Sequence, residues 1–120
     1  MTIEMGQIQT RSFDVPDQTR AMGDAARIDV LSLGGTTAAR ATMMPGFHWQ
    51  EHAGPIVGTD LCQVHHVGYV ISGRARVKLA DGTEREVAGG DVFDVPPGHD
   101  MWVMGDEPYV AVEFDQGEKR

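Results

Sequence analysis

Apolar and polar positions alternate in short runs along most of the chain. "ARIDVLSL" sets Ile28 and Val30 two apart, and "LCQVHHV", "YVISG", "RARVKLA", "EREVA", "DVFDVP", "MWVM" and "YVAVEF" form further short extended runs in the second half. Strand side chains point to opposite faces in turn, so a period of two predicts strands buried on one side. The intervals carry turn chemistry: Ser72–Gly73, "DGT" from Asp81, "GGD" from Gly89, "PPG" from Pro96 and "GDEP" from Gly105. Asp81–Gly82, flanked by alternating runs, is the clearest hairpin signal. Short strands at even spacing with turns between them predict an all-β protein, a small antiparallel β-barrel or jelly roll.

The first third is less regular. A strand is expected near Gln9 to Asp14, stopped by Pro16, and "RAMGDAAR" has the composition of a helical turn that would be marginal alone. Residues 1–26 therefore read as an N-terminal strand extension. Gly34–Gly35 predicts a hairpin from "ARIDVLSL" into "TTAARATMM", which Pro45 and Gly46 end. "FHWQEHAGPIVGTD" follows, too rich in Gly and Pro for a long helix.

Composition narrows the function classes. With 120 residues the chain has material for one core, and 41% hydrophobic with 23% charged residues is ordinary for a globular domain. A net charge of -8 without a Lys/Arg cluster argues against a nucleic-acid partner, because nothing displaces phosphate counterions. There is no apolar run long enough to span a bilayer, and the N-terminus lacks the basic start and apolar core of a signal peptide. The single cysteine has no partner for an internal disulfide, which favours a reducing compartment. A soluble, cytoplasmic protein without membrane contact is the expectation.

The second half resembles the cupin superfamily. "GDVFDVPPGHDMWV" is similar to the second cupin motif, with Gly90, Pro96 and Gly98 in its glycine and Pro-x-Gly positions, and "GYVISG" from Gly68 to Gly73 looks like the strand that closes the first motif. The resemblance covers roughly the last two-thirds of the chain, with the conserved barrel motifs within residues 43–115. The phrases "GTDLCQVHHVGYVISGR" and "VPPGHDMWVMGDEP" look like those of small single-domain bacterial cupins. Aligned in this way, His66 stands where the family's glutamate usually is, Cys62 falls near its second histidine and Asp60 near its first. Met101 occupies the usual place of the second motif's metal-binding histidine, with His99 two residues earlier. The family's three-histidine, one-glutamate ligand set does not transfer.

A different set emerges from strand parity. Cys62 shares a face with Asp60 and Val64, while the family pattern turns His66, Gly68 and Val70 toward the barrel interior. Gly68 leaves room beside His66 for a ligand or a neighbouring side chain. His99 has the parity of Met101 and Val103, and His48 and His52, four residues apart, precede the first motif near the barrel mouth. The expected site is one divalent transition metal held by some subset of His52, Cys62, His66 and His99, with His48, Asp60 and Met101 as further candidates and His65 facing outward. A thiolate with imidazoles favours zinc, and ferrous iron or copper also fits. The plain alternative for Cys62 is a small buried hydrophobe. "EFDQGEKR" at the end has the character of a solvated terminus.

Three functions follow. In the first, the metal serves an enzyme (oxygenase, isomerase or lyase) acting on a small organic molecule in a cavity lined by Val64, Val70, Phe93, Val95, Met101 and Val103. Tyr69 or Trp102 would lie nearby, and Glu51 or Asp100 would serve as acid or base at the mouth. In the second, four protein ligands close the coordination sphere of a sensing or structural module. The third is a metal-free barrel that mediates assembly. Family likeness implies a homodimer, with Gln9 to Asp14 as the strand for exchange because sheet edges need covering.

Overall fold

Strand alternation carries over into the computed structural model, which describes residues 6–115. In chain order the elements are β1 (Gln18–Met22), β2 (Ala26–Leu33), β3 (Thr36–Met43), α1 (Trp49–His52), α2 (Gly54–Val57), β4 (His66–Ser72), β5 (Arg74–Leu79), β6 (Glu84–Ala88), β7 (Val92–Val95), β8 (His99–Met104) and β9 (Tyr109–Asp115). They form a six-stranded sheet in the order β1-β2-β3-β9-β4-β7 and a three-stranded sheet in the order β6-β5-β8. Every strand pairing is antiparallel. This is the small all-β jelly roll that the turn spacing implies.

Turn chemistry sets the registers. Gly34 and Gly35 both have positive φ (57° and 82°), the backbone that a two-residue primed turn requires at both central positions. That turn aligns Leu33 with Thr36 and carries the pairing on to Ala26 with Met43. The two sheets then bury their inner faces against each other, with Val70, Phe93 and Ala111 from the larger sheet and Ala75, Val77, Met101 and Val103 from the smaller in one core cluster. Phe47 and Trp49 join that cluster from the segment between β3 and β4. Two helical turns of four residues each occupy that segment, consistent with its glycines and Pro55.

The N-terminal expectation needs correcting. Residues Gln9 to Asp14 form no strand, and "RAMGDAAR" forms no helix; the edge strand is β1, hairpinned onto β2 through Gly23 at φ 56°. Eight residues are too few for a helix to stand alone, whereas Ala21 and Met22 gain sheet partners in Arg27 and Ala26. The earlier segment is held by side chains. Arg11 makes a two-pronged ion pair with Asp17 (2.7 and 3.0 Å), and Asp17 in turn accepts the Ser32 backbone N–H at 3.0 Å. Arg40 lies over the Phe13 ring and donates to Asp14. The segment is thus tied to its own sheet by side chains and not as a strand. Among the described residues no helix is long and apolar enough to cross a membrane.

Arg40 also belongs to a charge network around a buried carboxylate. Asp29 on β2, 1% exposed, accepts hydrogen bonds from Arg27 (2.8 Å), Arg40 (3.0 and 3.3 Å) and Thr19 (3.0 Å), which ties β1, β2 and β3 together. Burial opposes ionising the carboxyl, but these donors outweigh it and hold its pKa below the ordinary 3.8. Replacing Asp29 with Ala should destabilise the protein by about 2–3 kcal/mol in urea unfolding, because it strands partly buried guanidinium groups. A folded pKa below 3.8 makes the carboxylate's contribution complete above that pH and lost as pH falls through the folded value, so the gap between Asp29→Ala and wild type should narrow in acid.

Candidate metal centre

Three side chains converge between the sheets because of one backbone bridge. Cys62 precedes β4 and lies outside the named strands, but it pairs with His99 at the start of β8. The Cys62 N–H donates to the His99 carbonyl at 2.8 Å, and the Cys62 carbonyl accepts from the N–H groups of Gly98 (2.7 Å) and His99 (3.3 Å). Gly98 reaches this position with φ 88°, a conformation that side chains disfavour, so the "PPG" turn is what delivers His99 to the bridge. His66 opens β4, which lies beside β7 and β9 in the larger sheet, and its register with Val95 faces it toward His99. The two imidazoles meet edge to face with centroids 5.1 Å apart.

The donor atoms of Cys62, His66 and His99 all lie within 4.8 Å of one another. Cys62 Sγ is 3.4 Å from His66 Nε2. A tetrahedral ion holds sulfur and nitrogen ligands about 3.5 Å apart, so the group needs little adjustment to close on a metal. Both rings also turn Nε2 toward the shared centre. His99 Nδ1 lies 2.7 Å from the Pro96 carbonyl, which can only accept, so the proton is on Nδ1 and Nε2 is left to the cavity. His66 Nδ1 faces the Glu113 carboxylate in the same manner. Second partners of this kind fix ring orientation and raise ligand basicity at metal sites. The residues present therefore fit a transition-metal ion.

Electrostatics support that fit. Burial opposes ionisation of the Cys62 thiol, yet its neighbour His66, then His99 and the Val64 backbone, outweigh it and bring its pKa from 9.0 down to about 6. Burial likewise disfavours charge on His66, and Cys62 and Glu113 outweigh it, raising its pKa from 6.5 to about 9. Between those values the metal-free site holds a thiolate beside an imidazolium. The sulfur is thus already in the form that binds metals.

Gly68 shows how Glu113 gets there. Gly68 pairs with Glu113 across β4 and β9, and a methyl group at this glycine would collide with the Val112 carbonyl and lie 2.9 Å from the Phe93 ring. The room expected beside His66 thus goes to a neighbouring side chain. Glu113 had been assigned to a solvated tail; it is instead 8% exposed, on an inner-face position of β9. A signal was present in "YVAVEF", where Glu113 has the parity of Tyr109 and Ala111.

The other sequence candidates sit elsewhere. His52 is outside the donor cluster: its ring stacks on Phe47 at 5.6 Å, and its Nδ1 lies 3.0 Å from the His48 backbone nitrogen. The short α1 turn folds that ring back on its own backbone. His48 pairs with Asp100 at 2.6 Å, and Asp100 also accepts the Gln50 N–H. Asp100 alternates with His99 on β8 and so faces α1, not the cavity mouth. Glu51 is exposed on that helix. Trp102 shares the Asp100 face and meets His48, and Tyr69 is exposed. Asp60 is exposed as well, its carbonyl bonded to Gln50. His65 points outward, as expected, and pairs with Asp94. Met101 is a buried wall residue.

The donors border a cavity of about 430 Å³ between the sheets, lined in part by Val64, Phe93, Val95 and Met101 as anticipated. Val70 and Val103 lie in the packed core instead. The cupin 2 conserved barrel domain protein from Salinispora arenicola superimposes with a TM-score of 0.57 at 19% identity, covering 92% of this chain and 88% of that one. This chain has the cupin fold. KdgF from Halomonas sp. shares the cupin fold's arrangement at a TM-score of 0.54 and 18% identity, over 81% of this chain and 83% of that one. Oxalate decarboxylase from Bacillus subtilis, described with Mn(II) centres, matches at 0.58 and 23% identity, over 88% of this chain but 28% of that longer one. No family model and no curated protein matches the sequence. At these identities the likeness establishes the cupin fold and leaves the site to be argued from its own atoms.

Titration of the metal-free protein by thiolate ultraviolet absorbance should give a midpoint near pH 6 for Cys62, and His66→Ala should move it upward. A wild-type midpoint at the ordinary 9.0 would show that the imidazoles do not stabilise the thiolate.

Proposed function

We propose that this cupin binds one divalent transition metal through Cys62 Sγ, His66 Nε2 and His99 Nε2 and holds or transforms a small organic molecule at the ion's open position. The observation that carries this reading is the meeting of three soft and borderline donors, within 4.8 Å of one another, on the wall of a cavity. Among the described residues the cluster supplies three ligands, the number typical of sites that keep a position for water or substrate, which favours this over a closed sensing or structural centre. A thiolate with two imidazoles favours zinc and admits ferrous iron. When bound, such an ion supplies Lewis-acid polarisation of an oxygen group.

The chain's own residues prepare that position. Glu113 holds the proton on His66 Nδ1, so Nε2 points at the shared centre. The Pro96 carbonyl does the same for His99. Tyr109 lines the cavity, and burial, followed by the Glu113 and Asp91 charges, raises its pKa and keeps the phenol protonated, a neutral donor for a bound molecule.

Elemental analysis of protein purified without a nickel column should find close to one transition metal per chain, reduced sharply by Cys62→Ser or His99→Ala. A wild-type protein that takes up no metal even on reconstitution ends the proposal. Glu113→Gln should weaken metal affinity about 10–100-fold while leaving the chain folded. Unchanged affinity would mean that His66 is oriented by packing alone.

A further inference from the structure

The cavity differs sharply in chemistry from one end to the other. Most of its hydrogen-bonding groups gather around Cys62, His66, His99 and Glu113, with Arg20, Thr59 and Gln63 elsewhere on the lining, whereas the stretch along β2 and β3 is lined by Ile28, Val30, Ala39, Ala41 and Met43. Ala39 and Ala41 are 2% and 3% exposed, so the space above them exists because the inner face of β3 carries methyl groups where larger aliphatics would fill it. At the rim, Ile56 and Val57 of α2 line the cavity while remaining 67% and 60% exposed, an apolar entrance. Arg20 is the one Lys or Arg lining the cavity among the described residues.

We infer that the molecule taken by this site is a predominantly apolar monocarboxylic acid, its hydrocarbon body along β2 and β3 and its carboxylate at the Cys62–His66–His99 end. The inference rests on the metal-site reading above and adds the ligand's class. A polyhydroxylated molecule would press hydroxyls against aliphatic carbon and forfeit their hydrogen bonds to water. A compact dianion such as oxalate would leave the apolar length empty and bring two charges where one is balanced. A divalent ion with one thiolate and two neutral imidazoles carries a single net positive charge, which Glu113 behind His66 already offsets in part; one carboxylate can still take the ion's open position, whereas a second would bring a charge with nothing at that end to balance it. The acid's hydrocarbon displaces water from the alanine floor, where burial of apolar surface supplies affinity.

Trp49 lines the cavity and Trp102 does not, so Trp102→Phe leaves one fluorescent reporter at the site. In that background the full chain, loaded with zinc or stripped of it, is titrated with octanoate and with oxalate, and zinc content is measured in parallel. Octanoate should change the Trp49 emission saturably, bind about tenfold or more tightly with zinc present, and outcompete oxalate. Ala41→Phe, which fills the floor, should abolish octanoate binding and leave zinc content unchanged; if that variant does not fold, Ile28→Asn at the half-buried wall should weaken octanoate binding in the same direction. Zinc retained with oxalate preferred, or with octanoate ignored, overturns the ligand class and leaves the metal reading standing. Octanoate bound by a protein that holds no zinc overturns the metal reading and sustains the ligand class. Neither bound overturns both.

Discussion

The pairing of Cys62 with His99 is the constraint on which the rest of the site depends. Neither residue belongs to the same strand pair, and Cys62 lies in no regular element at all. Yet three backbone hydrogen bonds, two of them received by one carbonyl, hold the segment before β4 against the turn that starts β8. A side-chain site built only on loops would be loose; here a thiol and an imidazole are positioned by main-chain geometry, and β4 supplies the third donor from a position paired with Val95 of β7. Rigid supports of this kind are what keep donor atoms near a productive arrangement without a bound ion.

The same economy governs the charges. A buried thiolate and a buried imidazolium would each be disfavoured alone, and together they stabilise one another while Glu113 balances the far side of the imidazole. The cost of dehydrating such groups is offset by neighbours with fixed positions. Asp29 illustrates the structural counterpart toward the other end of the large sheet, where a carboxylate is held among guanidinium groups. Both networks bury charge; the one with the thiolate, two imidazoles and adjoining space can do chemistry.

Much of this was legible in the sequence where a rule acts locally. Alternation and turn residues located the hairpin through Gly34–Gly35 and the strands from β5 to β9, since each signal lies within the element it defines; "LCQVHHV" and "YVISG" read as two runs, whereas one strand begins at His66 and the Cys62–His99 bridge holds the residues before it. Parity put His66 and His99 on the inner face and His65 outside. Where a partner far along the chain decides the outcome, the sequence was less informative. Gln9 to Asp14 is extended in composition but is captured by Arg40 and by the ion pair of Arg11 with Asp17, leaving the sheet edge to β1. His52 was attractive by proximity to Cys62, and the α1 turn carried its ring onto Phe47 instead. Glu113 was hidden by its closeness to an acidic terminus, although its parity pointed inward.

Strand β8 shows how a two-residue period divides labour. His99 and Asp100 are neighbours in sequence, and alternation sends the first into the cavity and the second toward α1. Asp100 then fastens that helical turn through His48 and the Gln50 N–H, and the Phe47 carbonyl accepts from Val103 of the same strand. One face of β8 thus carries the candidate ligand and the other anchors the segment that contributes Trp49 to the cavity wall. A shift of one residue in the β8 register would exchange these faces, turning His99 outward and pressing a carboxylate against the thiolate of Cys62. The register with β5, which sets Leu79 opposite His99 and Val77 opposite Met101, is therefore as much a part of the site as the donors themselves.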